Sequence, residues 1–410
     1  MGRRSPSTTI TTVKEFQTMN RFRWIPAMVV VAMLAGCVPS VKEDTEVLKD
    51  TDETESVVET TIIPSMQLND SYYRTLVPYK ESASRGLVVS NLYTKYDIKE
   101  VEEGLMRLSQ NVYDTDNYFF QEGQYLDADT ISNWLARSNQ NADEEEELRG
   151  LNPPDVDANG ATLDPVTRAK QAPIYLSHLI EQNYLVKTDD NKVKLGCISI
   201  GLALNSVYYY QKEQYGDTFE EPIPNAELEK KGKEIAEEVI SRLRKRPELQ
   251  DVPIVIGLFK QEARNSIVPG AYFSYSVSEK GQNGIGDWQA INEKYVTFPM
   301  SSPAELYRKV NERFLIFKQD IDKYFSNYTS VIGKGFYQND TLRKLSIEVP
   351  IQFYGTTEII GFTQYLSGVI MQQLPMDVDI EVNITSINGA EALIIKEANE
   401  QEPFVHIYDY

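Results

Sequence analysis

Cysteine and histidine are almost absent from this chain of 410 residues, which holds two of each: Cys37, Cys197, His178 and His406. A disulfide framework, a Cys–His catalytic pair and a histidine-rich metal site all lack material. Cys197, inside the apolar run Leu195–Ile200, reads as a small buried hydrophobe. Long hydrophobic runs are missing too. The stretch Ile25–Ala35 is shorter than the roughly 20 apolar residues a membrane-spanning helix needs. Positive charge is scarce: Lys+Arg 41 against Asp+Glu 61 gives a net charge of −20. Such a surface repels phosphate backbones, so nucleic acid is not an expected partner. No Gly-x-Ser-x-Gly elbow or Walker-type lysine loop occurs, and Gly281, Gly284 and Gly286 stand in the wrong order for a dinucleotide fingerprint. Asp155–Gly160 copies the first half of a calcium loop, but its twelfth position is Val166 and Pro153-Pro154 replaces the entering helix. That segment reads as a plain polar loop, and no cofactor or metal is expected.

What is present begins with an address. Arg21 and Arg23 precede the short apolar stretch, which ends in Leu34-Ala35-Gly36-Cys37. A positive flank, a short apolar core and small residues at a cleavage point make a secretory signal. A cysteine directly after them resembles a bacterial lipobox, in which the thiol is diacylated. The expectation is a signal peptide over 1–36, cleavage between Gly36 and Cys37, and lipidation at Cys37. Two acyl chains on one thiol suffice for stable anchoring. The expected location is the extracytoplasmic face of the cell membrane. The expected partners are the membrane, through the lipid anchor, and the prolipoprotein-processing enzymes. Met1–Thr18 is polar and contains Glu15; a start at Met19 would give a signal of ordinary proportions. Val38–Asp70 holds nine acids, two lysines and no aromatic residue, so residues 37–70 read as a disordered acidic tether.

The remainder predicts an α+β body of two mixed α/β subdomains with largely antiparallel sheets, 71–280 and 281–410, the first interrupted by an acidic insertion at 139–165. Helices are expected at Asp97–Val112, Asp129–Ser138, Pro173–Leu185, Asn225–Arg246, Ser302–Phe325 and Thr356–Leu374. The helix at 302 has the look of a capping box, Ser302-Pro303-Ala304-Glu305, with Leu306, Val310, Phe314, Phe317, Ile321 and Phe325 on its buried face. Lys194–Tyr210 and Val252–Lys260 flank the helix at 225 as strands, a βαβ-like order. Ala271–Val277 is a further strand. Hairpins are expected around Asn339-Asp340 and Asn388-Gly389, with an edge strand at Phe404–Tyr408. Twenty-five tyrosines against fifteen phenylalanines suit half-exposed sheet faces and binding surfaces.

Several blocks, taken in order, resemble the CamS family of Gram-positive lipoproteins: the lipobox with its tether, Tyr73–Ser82, Arg85-Gly86-Leu87, Gly201–Tyr210, Tyr324–Tyr328 and Val405–Tyr408. The resemblance implies that the released leader is trimmed to a short apolar peptide acting as a sex pheromone. Here that peptide would be Val30-Val31-Ala32-Met33-Leu34-Ala35-Gly36. It also implies a folded body without an established biochemical activity. Two readings of that body compete. One is a non-enzymatic docking or binding module for an unknown protein or small-molecule ligand. The other is a surface hydrolase with dispersed carboxylates. The expectation is the first, and no catalytic residue is assigned.

Overall fold

The computed structural model describes residues 44–46, 60–64, 66–68, 72–87, 91–138, 149–188, 192–324, 330–352 and 355–408. The leader, Gly36, Cys37 and the segment Val30–Gly36 lie outside the described residues, as does 139–148. Within the acidic stretch, β1 (Asp44–Glu46) pairs antiparallel with β2 (Thr60–Ile62). Ile62 and Val77 exchange backbone hydrogen bonds of 2.7 and 2.9 Å, so hydrogen-bonded structure begins ahead of Ser71.

The first sheet has seven strands. In chain order they are β3 (Arg74–Thr75), β4 (Tyr118–Glu122), β5 (Leu176–Lys187), β6 (Val193–Asn205), β9 (Ile254–Gln261), β10 (Ala271–Ser278) and β11 (Gln289–Ala290). The separate hairpin of β7 (Val207–Gln211) and β8 (Thr218–Pro222) follows β6. Helix α1 (Lys95–Ser109) covers one face with Val101, Leu105 and Leu108, packed on Tyr184, Phe259 and Tyr272. Helices α2 (Ala128–Leu135) and α4 (Asn225–Arg244) cover the other, where Trp134, Leu228, Ile235 and Val239 meet Leu179, Ile200 and Leu258. Each such side chain contributes about 1.5–3 kcal/mol on burial. The short α3 (Pro165–Gln171) packs on β7.

The expected βαβ order is present: β6 and β9 run parallel with α4 as the crossover. Other expectations are corrected. Pro173–Leu185 is not a helix; it holds β5, buried on both faces in the middle of the sheet. Central strands lose the period-two alternation, and Leu176, Leu179, Ile180 and Tyr184 happen to fall at helical spacing. Glu181, Gln182 and Asn183, which mimic a helix's polar face, are buried. The Glu181 carboxylate accepts the backbone N–H groups of Gln124, Tyr125 and Leu126, at 2.7 to 3.2 Å. The cap of α1 is Thr94, whose hydroxyl accepts the Asp97 N–H at 3.1 Å. The described part of the insertion is docked over residues 149–156 and exposed over 157–162. Asn152 is fully buried, donating to Leu135 O at 2.8 Å and Leu176 O at 2.9 Å.

The second sheet, in the order β12 (Glu293–Phe298), β13 (Ile332–Gln338), β14 (Thr341–Pro350), β15 (Asp379–Ser386), β16 (Gly389–Lys396), β17 (Phe404–Ile407), carries α5 (Glu305–Tyr324) and α6 (Thr356–Gln373) on one face. Asn339 and Asp340 both have positive φ, 51° and 60°, the backbone of a two-residue primed turn. In the other hairpin Ser386 pairs with Gly389, so Ile387 and Asn388 form the loop, and Gly389 takes φ +134° just beyond it. The sheet is not purely antiparallel: β14 and β15 run parallel across the α6 crossover. Helix α5 starts at Glu305, which pairs with Arg308 at 2.7 Å. Among the described residues its buried stripe holds Phe314, Phe317 and Ile321 with Val310 packed beside them, and Leu306 is exposed; Phe325 lies outside the described residues.

Two cationic groups, the half-buried Arg107 and the buried Arg244, tie segments together. On α1, Arg107 reaches both Glu100 and Glu293, the latter at 2.8 Å, while Tyr295 donates to Glu100 at 2.6 Å and Gln338 to Glu293 at 3.1 Å. This network joins α1 of the first sheet to β12 and β13 of the second. At the end of α4, Arg244 donates to the carbonyls of Leu249, Gln250 and Val252. It also donates to Ser278 O and Oγ and to Glu279 O.

Burial also sets one titration. His178 on β5 is buried, with Nδ1 3.3 Å from Asn91 Nδ2, and burial lowers its pKa from the ordinary 6.5 to about 4. Between those values the unfolded chain binds the proton and the native state does not. The stability is therefore full above pH 6.5 and is lost as pH falls toward 4. Urea denaturation should show a loss between pH 7 and pH 4.5 that is about 2 kcal/mol smaller in His178→Gln than in the wild type. Equal losses in the two proteins would contradict this assignment.

Candidate binding groove

The tyrosine run of β7 decides where the surface is concave. Successive strand residues point to opposite faces, so Tyr208 and Tyr210 share one face and Tyr209 takes the other. Tyr208 and Tyr210 stack with centroids 6.4 Å apart and planes 9° from parallel. Tyr210 leans on Phe219 of β8 at 5.7 Å, and the Lys212 ammonium sits 4.1 Å over the Phe219 ring. Tyr209 meets Tyr93 edge-on at 5.3 Å. The Arg264 guanidinium lies over both of these rings, 4.1 Å from Tyr209 and 4.8 Å from Tyr93. The Arg264 backbone N–H donates to the Tyr209 hydroxyl at 3.0 Å.

Tyr208, Tyr209, Tyr210, Lys212 and Arg264 line a groove of about 560 Å³, together with Arg168 of α3 and the turn between β7 and β8, while Tyr93 and Phe219 pack against Tyr209 and Tyr210. Arg168 pairs with Asp155 at 3.6 Å, whereas neither Lys212 nor Arg264 has a carboxylate partner among the described residues. Tyr208 is fixed from behind by Arg137, which donates to its hydroxyl at 3.3 Å and to the carbonyls of Pro153 and Ala172 at 2.8 Å each. Burial pushes the Tyr93 hydroxyl up to about 12, so the ring beneath Arg264 stays neutral at physiological pH. A groove of aromatic faces with two cations held on rings rather than on carboxylates can grip a flat, anionic ligand through stacking and charge-assisted hydrogen bonds.

The sequence singled out the Tyr208–Tyr210 run as part of a strand and of a block that resembles the CamS family. Tyr93, Arg168, Lys212 and Arg264 carried no local signal, because four separate segments bring them together. Other singled-out residues serve the fold. Cys197 is fully buried against the aromatic cluster under α1, and burial holds its thiol far above the ordinary value. The Asp157 carboxylate accepts the Asn159 and Ala161 N–H groups at 2.8 and 2.9 Å, which closes the 155–162 loop. His406 stacks edge-on with Tyr408 at 4.7 Å on the edge strand. No helix among the described residues is long and apolar enough to cross a membrane.

The family model described as "CamS sex pheromone cAM373 precursor" matches residues 79–402. The chain belongs to the CamS family. A solved sex pheromone precursor from Lactobacillus salivarius is 31% identical, covering 85% of this chain and 99% of that one with a TM-score of 0.77. The structure of the C-terminal domain of the staph-cAM373 precursor from Staphylococcus aureus is 33% identical over 78% of this chain and 99% of that one, with a TM-score of 0.66. No curated protein matches the chain. The CamS match begins at Tyr79 and takes in β4 to β16, and so the whole groove.

Proposed function

We propose that this CamS protein is exported, diacylated at Cys37 and cleaved after Gly36, and that it remains on the extracytoplasmic face of the membrane as a lipid-anchored binding module. Leu34-Ala35-Gly36-Cys37 at the end of a short apolar core, within a sex pheromone precursor family, carries the anchoring part of this reading. The released leader supplies Val30–Gly36 as the peptide signal. For the body, the observation that carries the reading is the groove: neutral aromatic faces beside Lys212 and Arg264. Such a surface is built to hold a ligand by contact. The buried carboxylates Glu100 and Glu293 are engaged by Arg107, Tyr295 and Gln338, which supports the binding reading over a hydrolase. Intact-mass analysis of the membrane-extracted wild type tests the processing. A mature chain starting at a diacylated Cys37 is expected. A chain that retains Gly36 with an unmodified thiol would overturn it.

A further inference from the structure

The groove also indicates what kind of ligand it takes. Its lining mixes two elements that rarely coincide on a chain of net charge −20: a row of aromatic rings, and cations without acidic partners. Of its charged lining residues, Arg168, Lys212 and Arg264 are positive and Glu213 is negative. Asp155 offsets Arg168, so the groove is a local positive site on an acidic body. Attraction of an anion is therefore focused here and opposed elsewhere on the surface.

The rings narrow the class further. Tyr208 and Tyr210 are held parallel, Tyr209 is fixed through its hydroxyl by the Arg264 N–H, and Tyr208 by Arg137. Fixed aromatic faces lose little side-chain entropy on binding. The C–H face of a pyranose ring is weakly positive and packs on the negative π-face, while the phenol hydroxyls can exchange hydrogen bonds with sugar hydroxyls. A guanidinium presents a planar fork that matches a carboxylate or phosphate bidentately. Tyr208 and Tyr210, 6.4 Å apart on one face, and Tyr209 on the other give more than one ring platform, which favours a chain of sugar units over a single one.

We propose that the groove of Tyr208, Tyr209, Tyr210, Lys212 and Arg264 binds an anionic oligosaccharide, with the sugar rings on the tyrosines and the acidic groups on Lys212 and Arg264. This rests on the reading of the body as a binding module and names the ligand class of that site.

Isothermal titration of the detergent-solubilised full-length protein tests it, with hexagalacturonate as probe and maltohexaose, galacturonate monomer, hexaglutamate and hexathymidylate as comparisons. Hexagalacturonate is expected to bind at least tenfold more tightly than each comparison, and its affinity should fall as salt rises. Arg264→Gln and, separately, Lys212→Gln should each weaken it about tenfold without a change in the thermal melting curve. Hexagalacturonate affinity that is unchanged in both variants would overturn the proposal. Stronger Arg264-dependent binding of the peptide, the oligonucleotide or the monomer would overturn the ligand class and leave the binding groove intact. If no probe responds to Arg264→Gln, both the ligand class and the binding role of this groove fail.

Discussion

Arg244→Met should lower the folding stability of the body by roughly 4 kcal/mol, measured by urea denaturation. Arg244 is buried at the end of α4, yet among the described residues it makes no ion pair: its two terminal nitrogens donate to five backbone carbonyls and the Ser278 hydroxyl. Those acceptors come from the turn after α4, the approach to β9 and the exit from β10. One side chain therefore joins three chain segments at the point where the β9–β10 ladder ends at Ser278. Burial disfavours its charge and holds its pKa below the ordinary value, but the carbonyl dipoles converge on its two terminal nitrogens, leaving only Nε without a partner among the described residues. Methionine fills much of the volume and leaves those acceptors unsatisfied, each at a cost of about 1–3 kcal/mol, reduced where water can enter. Arg244→Lys keeps the charge and loses the fork, so about half the effect is expected. A loss under 1 kcal/mol in the methionine variant would show that water already serves these carbonyls.

How much of this was legible in the sequence follows from locality. Helix α4 is written in Leu228, Ile235, Val239 and Leu243, all buried as their spacing requires, and the turn at Asn339-Asp340 is written in two adjacent residues. The parallel β6–α4–β9 unit followed from strand, helix and strand in order. Strand β5 was not legible, because its burial comes from α1 on one face and α2 on the other, and a strand covered on both faces has no period of its own. Helix α1 starts at Lys95, two residues ahead of the expected Asp97, with Thr94 as its cap, and the Asp97 carboxylate accepts the Gly270 N–H at 2.8 Å. The groove was the least legible feature. Tyr93, Arg168, Tyr209 and Arg264 meet only after the first sheet has formed, and an arginine in a loop reads as a solvated charge. The leader is the opposite case. Its meaning lies wholly in local order, and Cys37 stands outside the described residues.

The account therefore turns on Cys37, and its replacement has the largest expected functional effect. Only the thiol can form the thioether to diacylglycerol; alanine has no nucleophile to offer. Cys197 cannot substitute, since it is fully buried in the folded body and its thiol is held protonated by burial. Without the acyl chains, the apolar stretch Ile25–Ala35 is too short to span the membrane as a stable helix. An uncleaved leader would also leave Val30–Gly36 unreleased. Labelled fatty acid fed to expressing cells reads this directly. The wild-type chain is expected to carry the label, and Cys37→Ala to carry none and to accumulate with Gly36 still attached to its leader. Equal labelling of the two chains would contradict the account.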